Sequence, residues 1–262
     1  MSQKADRHRI LPPLVRPAVA ISLVVSLLIL DPMSLALGKE DRILLGFQKA
    51  QDSASIADGW EHITYPRTGE NDMSLTTEEK RTVLHVKSLG SASALLKRTD
   101  ADLQEFPILV WCWKINRVVG MAVEGQKDRN DSAARVRVIF AKESVEPRPL
   151  PPEIEEFFES LGIKSTALEP AGYKIDYIWG NRLPVGEILD YPGSRHHKMV
   201  VVESGQARAN RWVWERRNLV EDFELLFEAA PPGLAGIVIL TDTDDTNEGA
   251  EAFYSSVVLM NE

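Results

Sequence analysis

The chain has 262 residues, 44% of them apolar, with 30 lysines and arginines against 39 aspartates and glutamates. That is enough for one sizeable core, and the 26% charged fraction excludes a disordered chain or a polytopic membrane protein. One cysteine excludes an internal disulfide framework and a cysteine-based zinc site, and a net charge of −9 argues against nucleic acid, whose binding needs concentrated Lys and Arg.

The first element is at the N-terminus. Lys4, Arg7, Arg9 and Arg16 lead into residues 18–30 (AVAISLVVSLLIL), an apolar run broken only by Ser22 and Ser26. As a helix it would be about 20 Å long, short of a ~30 Å hydrocarbon core. Asp31 and Pro32 stop it, and Ala36 and Gly38 place small residues at −3 and −1 before Lys39. This layout predicts a secretory signal peptide over 1–38 and a periplasmic or extracellular protein with no transmembrane span in its mature chain. The alternative is an uncleaved N-terminal anchor, lengthened by residues 35–37. Cleavage would remove four basic and two acidic residues and take the net charge from −9 to −11, which disfavours anionic lipid and nucleic acid as partners.

Residues 39–262 read as a single domain built mostly of strands. Residues 82–88 (TVLHVKS) alternate weakly, and 107–115 (PILVWCWKI) are apolar on both faces, as suits a central strand covered on both sides. Cys112 lies within that run and is expected to be a buried small hydrophobe. In 134–141 (ARVRVIFA), Val136, Val138 and Phe140 point one way and Arg135, Arg137 and Ile139 the other. A surface insertion follows over 143–172. It holds a proline-rich lead-in and a short helix over 152–161, with Ile154, Phe157, Phe158 and Leu161 at helical spacing. Residues 174–179, 198–203 and 211–217 are further strands. A second helix or helix-like crossover is expected over 217–229, ended by Pro231-Pro232-Gly233. Strands over 236–243 and 252–260 flank the turn-rich 244–249. Without regular βα alternation, this order predicts an all-β antiparallel sandwich with one or two short helices in its connections.

Several motifs follow one another in a specific order. Trp111-x-Trp113 comes first, then Asp131-x-Ala133-Ala134-Arg135-Val136-x-Val138-x-Phe140, Tyr177-x-Trp179-Gly180 and Val201-Val202-x-Ser204-Gly205. After these come Trp214-Glu215-x-Arg217-Asn218 with Asp222-Phe223 and Phe227, and Thr241-Asp242-Thr243-Asp244-Asp245-Thr246 with Ala252 and Tyr254. In this order they resemble the bacterial family catalogued as domain of unknown function 3047, over nearly all of the chain from Gly59 onward. The resemblance implies an exported bacterial protein and brings no established activity or site residue. The front half, with Gly59-Trp60, Ser91-x-Ser93-Ala94-Leu95 and Trp113, also resembles the galactose-binding-like jelly rolls of carbohydrate-binding modules. That likeness is in fold pattern alone and makes a jelly roll the expected form of the sandwich.

Four constellations are candidates for chemistry. Trp111/Trp113 and Trp212/Trp214 are i, i+2 pairs that each share a strand face. Such pairs build either aromatic sugar platforms or core. The apolar neighbours of the first pair favour core, and the charged neighbours of the second (Arg211, Glu215, Arg216, Arg217) favour a partly exposed cleft wall. Arg135 and Arg137 offer planar donor forks for hydroxyls or carboxylates, or else a solvated face paired with acids. Asp242 and Asp244 share a face, with Asp245 turned away. They could hold ligand hydroxyls or a calcium ion, or shape a strand-end turn, and the EF-hand pattern fails at Asn247 and Phe253. His196-His197 sit in a polar turn and are expected at the surface.

Together these define an exported, non-catalytic binding protein for a glycan or another hydroxyl-rich envelope component. Trp212 and Trp214 would stack, Arg135 and Arg217 donate, and Asp242 and Asp244 accept hydroxyls or a cation, all in one concavity. Two alternatives stay open. One is a polysaccharide hydrolase with Glu215 and Asp242 as its acid/base pair. The other is an interaction module whose segment 147–162 docks a protein partner.

Overall fold

A computed structural model describes residues 41–50, 55–65, 68–141 and 169–261. The signal segment and the helix expected over 152–161 lie outside these residues. Two sheets pack face to face. One has six strands: β1 (Arg42–Leu44), β3 (Asp72–Glu78), β4 (Arg81–Leu89), β6 (Ile108–Ile115), β11 (Val213–Asn218) and β13 (Gly249–Met260). Their order is β11-β6-β13-β4-β3, with β1 paired to the far end of β13. The other has seven: β2 (Glu61–Thr64), β5 (Ala92–Arg98), β7 (Ser132–Phe140), β8 (Tyr173–Gly180), β9 (Ile188–Asp190), β10 (His197–Ser204) and β12 (Leu234–Asp242). Their order is β2-β5-β12-β7-β8-β10-β9. The described protein is thus an all-β sandwich of the jelly-roll kind. Among the described strands, the one parallel pair is β10 beside β8. The chain leaves β8, runs back as β9 one place further out, and returns as β10 to fill the gap, so β10 must run parallel to β8.

Alternation sets the interior. Val136, Val138 and Phe140 of β7, Tyr177 and Trp179 of β8, and Ile237 and Ile239 of β12 face Trp111, Trp113, Tyr254 and Leu259 of the opposite sheet in one buried cluster. Trp111 and Trp113 are fully buried, with their rings edge to face at 5.5 Å. Together they remove several hundred Å² from water, worth several kcal/mol at ~25 cal/mol/Å² as an upper bound. The outer face of the seven-stranded sheet is covered as well. There Ile63, Ala94, Leu96, Ile139, Ala235, Val238 and Leu240 form a second, smaller cluster.

The second expected helix forms as α1 (Leu219–Phe227). Asn218 caps it, its Oδ1 accepting from the Val220 and Glu221 amides at 3.1 and 3.3 Å. It buries Leu219 and Phe223 against the end of the sandwich and stops at Glu228, whose φ of 53° is left-handed. Strands β1, β2, β3, β5 and β9 lacked a legible pattern. β5 (ASALLKR) has no β-branched or aromatic residue and forms because β2 and β12 pair with it on both sides. β3 is a polar edge, and β9 is three residues long.

Candidate functional site

The outer face of the seven-stranded sheet carries a buried ionic network. Arg135 and Arg137 project there from β7 and are 1% and 5% exposed, so they are not a solvated face. Asp176, fully buried one strand away on β8, accepts Arg137 Nε at 2.7 Å and Nη2 at 3.0 Å, and Arg135 Nη1 at 3.1 Å. His197 Nε2 lies 2.8 Å from Asp176 Oδ1. His197 is therefore buried, contrary to the surface placement expected for it, and its ring stacks on Tyr191 at 4.0 Å. Glu169 takes Arg137 Nη1 at 2.7 Å, the Tyr65 hydroxyl at 2.9 Å and the Lys174 ammonium. Burial alone would raise both carboxyls. The facing cations outweigh it, holding Asp176 well below the usual carboxylate range and Glu169 at about 2. Burial lowers His197, against the pull of the neighbouring Asp176 carboxylate.

Beside this network is a cavity of about 340 Å³, lined by Tyr65, Thr68, Ala92, Lys127, Asn130, Arg137, Tyr191, Pro192, Leu240, Asp242, Asp244 and Asp245. Its volume falls at the lower end of the ~300–1,000 Å³ typical of small-molecule sites. Asp242 reaches it from the last position of β12, where the pairing with β7 slips between Leu240 and Asp242. Such a bulge re-aims a side chain at a sheet end. Asp245 lines the cavity too, correcting the expectation that it turns away. Burial, with a hydrogen bond from Asp244, pushes the Asp242 carboxyl well above its usual range. Asp131 anchors the turn from beneath. Its carboxylate accepts the Asp245 amide at 3.2 Å, the Thr246 amide at 2.8 Å and the Thr246 hydroxyl at 2.5 Å. One carboxylate oxygen each from Asp131, Asp244 and Asp245 lies within 4.8 Å of the others.

The expected site residues divide between two surfaces. Arg135, Asp242 and Asp244 come together at the cavity, Arg135 behind its wall with Nη2 bonded to the Asn130 carbonyl at 2.8 Å. Trp212, Trp214, Glu215 and Arg217 do not join them, because β11 edges the other sheet. The single concavity expected for all of them is therefore not formed: period-2 alternation assigns a face within one sheet and says nothing about which sheet a strand joins. Trp214 is 40% exposed. The Trp212 ring is engaged by the protein's own cations, with Lys114 Nζ 5.0 Å and Arg81 Cζ 5.4 Å from its centroid. Arg217 is committed to Asp222 at 2.8 Å, and Asp222 also accepts the Tyr177 hydroxyl at 2.6 Å. Glu215 faces the inter-sheet edge and accepts Trp113 Nε1 at 3.3 Å. Burial and the nearby Glu203 raise its carboxyl to about 7, since Arg208 and Arg217 already hold other acids. Tyr65, Tyr191 and Lys127 were not foreseen. Each stands in a loop, where no periodicity marks it.

Fold and site together define a two-sheet jelly-roll protein with a polar cavity on the outer face of its larger sheet. The chain belongs to the family described as Protein of unknown function (DUF3047), whose model matches residues 58–258. No curated protein matches it. Among solved structures, it is similar to a family 11 carbohydrate-binding module of a cellulosomal cellulase of Clostridium thermocellum, with TM-score 0.38 and 8% identity over 87% of this chain and 96% of that one. It is also similar to the xyloglucanase domain of NopAA, a type three effector from Sinorhizobium fredii, with TM-score 0.40 and 10% identity over 82% and 97%. A third is endoglucanase 3 of Trichoderma harzianum, with TM-score 0.41 and 6% identity over 86% and 99%. At such scores the correspondence is loose, and the functional reading rests on this chain's own residues.

Proposed function

We propose that residues 39–262 form one exported binding domain, in the periplasm or outside the cell, that holds a hydroxyl-rich saccharide of the envelope in this cavity without reacting with it. One observation carries the reading: two tyrosines and the aspartates Asp242 and Asp244 line a cavity beside a buried ionic network. Sugars need this combination, with aromatic area for their C–H faces and fixed donors and acceptors for their hydroxyls. Asp242 and Asp244 offer carboxyl oxygens to its hydroxyls, and Lys127 and Asn130 add donors.

The geometry favours binding over hydrolysis. Glu215 and Asp242 open to different faces. That pair therefore does not flank one ligand, as the two carboxyls of a glycosidase must. Among the described residues no helix is long and apolar enough to cross a membrane.

Titration with envelope polysaccharide fragments tests the reading. Tyr191→Ala and Asp244→Asn are each expected to weaken binding about tenfold or more, as loss of a buried contact does. Trp214→Ala should leave it unchanged. Binding that depends on Trp214 and ignores Tyr191 would move the site to the six-stranded sheet and end the proposal. Calcium is part of the same proposal. Added Ca²⁺ is expected to raise the melting temperature, reversibly with chelator, and Asp244→Asn to abolish the rise. A melting temperature indifferent to both would remove the ion.

A further inference from the structure

A second and larger cavity, of about 790 Å³, opens at the end of the sandwich where α1 meets the 100–107 loop and the 230–234 turn. It does not bear on the saccharide reading. Its floor is apolar: Leu103 and Leu234 are 7% and 4% exposed, with Pro107, Val220, Pro231 and Pro232 beside them. Its titratable lining is all of one sign. Asp100 and Asp102 come from the loop, Glu221 and Glu224 from α1. The two glutamates stand three residues apart and so share a helix face. All four acids are exposed, and among the described residues no cationic side chain pairs with any of them. Asp102 spends one oxygen on the Gln104 amide at 2.8 Å, and Glu221 one on Asn218 Nδ2 at 2.8 Å. The free amides of the first helical turn, which would attract an anion, are taken up by Asn218 Oδ1.

We infer that this cleft docks a segment of a partner protein in which lysine or arginine alternates with apolar side chains. Charge complementarity selects the cation, because four unpaired carboxylates face the opening and no base does. The apolar floor selects a peptide over a bare ion. A metal ion gains nothing from Leu103, Val220 or Leu234, whereas aliphatic side chains do. Carboxylates on both sides of an apolar floor match a chain that presents charge outward and hydrocarbon inward. The two cavities have no lining residue in common, so the segment leaves the saccharide cavity accessible.

The test is fluorescence anisotropy of a labelled Lys/Leu peptide with the full chain. Binding is expected to weaken steeply with salt, as exposed charge pairs do. The double variant Glu221→Gln/Glu224→Gln is expected to weaken it about five- to tenfold, while Glu187→Gln, an exposed acid elsewhere, leaves it intact. Leu103→Ala, measured at a temperature where the variant is shown to be folded, should weaken it with the salt dependence preserved. Equal loss in Glu187→Gln would show a general acidic attraction and overturn the site. So would undiminished binding in the double variant. Full competition by spermine would show a cation site with no use for the floor, and would overturn the peptide.

Discussion

Asp176→Asn is expected to destabilise the protein by about 3–5 kcal/mol, the cost of leaving buried cations without their anion. Asp176 is wholly buried and holds Arg135, Arg137 and the ring of His197 at once. Asparagine keeps the shape and one acceptor but removes the charge, so both guanidiniums remain desolvated and only Arg137 retains an acid, Glu169. Against a total stability of ~5–15 kcal/mol this is a large fraction. The pH dependence follows from the sign. The native carboxyl lies below its ordinary value, so its contribution is fully present above the ordinary carboxylate range and lost as the pH falls through the native value. Wild type should therefore hold this share of its stability into strong acid, while the variant lacks it at every pH. Urea denaturation at pH 7 and pH 4 checks both statements. A midpoint shift worth under ~1 kcal/mol would mean that the network contributes nothing to folding.

Glu215→Gln should act in the opposite direction. The native carboxyl titrates at about 7, raised by burial, so between its ordinary value of 4.5 and about 7 the folded chain binds a proton the unfolded chain does not. A raised value contributes stability below the ordinary pKa and loses it as the pH climbs through the native one. Glutamine cannot ionise and still accepts from Trp113 Nε1. The variant should match wild type near pH 4.5 and exceed it by about 1–2 kcal/mol at pH 8, after allowance for the solvated part of the carboxyl. Thermal melts at the two pH values decide it, and parallel pH slopes for the two proteins would refute the assignment.

Both predictions rest on residues whose type was informative and whose surroundings were not. Alternation in 134–141 put Arg135 and Arg137 on one face and Val136, Val138 and Phe140 on the other, and the sheet keeps that division. What covers the arginines comes from far along the chain: Tyr65 before β3, Glu169 before β8 and Tyr191 beside β10. None of these stands in a periodic segment. The two tryptophan pairs show the same limit. Trp111/Trp113 and Trp212/Trp214 have one spacing and opposite fates, because Trp214 pairs with Cys112 and so takes the sheet face opposite to the one on which Trp111 and Trp113 are buried. The neighbours of each pair indicated which would be buried. They did not indicate that Lys114 and Arg81 would engage Trp212.

Local sequence was sufficient for the strand-rich class, the positions of most strands, the helix capped by Asn218 and the face each side chain takes within its strand. These follow from period-2 patterning, capping and turn chemistry over a few neighbouring residues. Only tertiary structure decided that Arg135, Asp242 and Asp244 meet while Trp214, Glu215 and Arg217 stand apart. Strand pairing joins segments far apart in the chain, as β7 with β12 does, and their register slips at Asp242. That choice is made by the burial of whole sheets and leaves no signature in any short window of the chain.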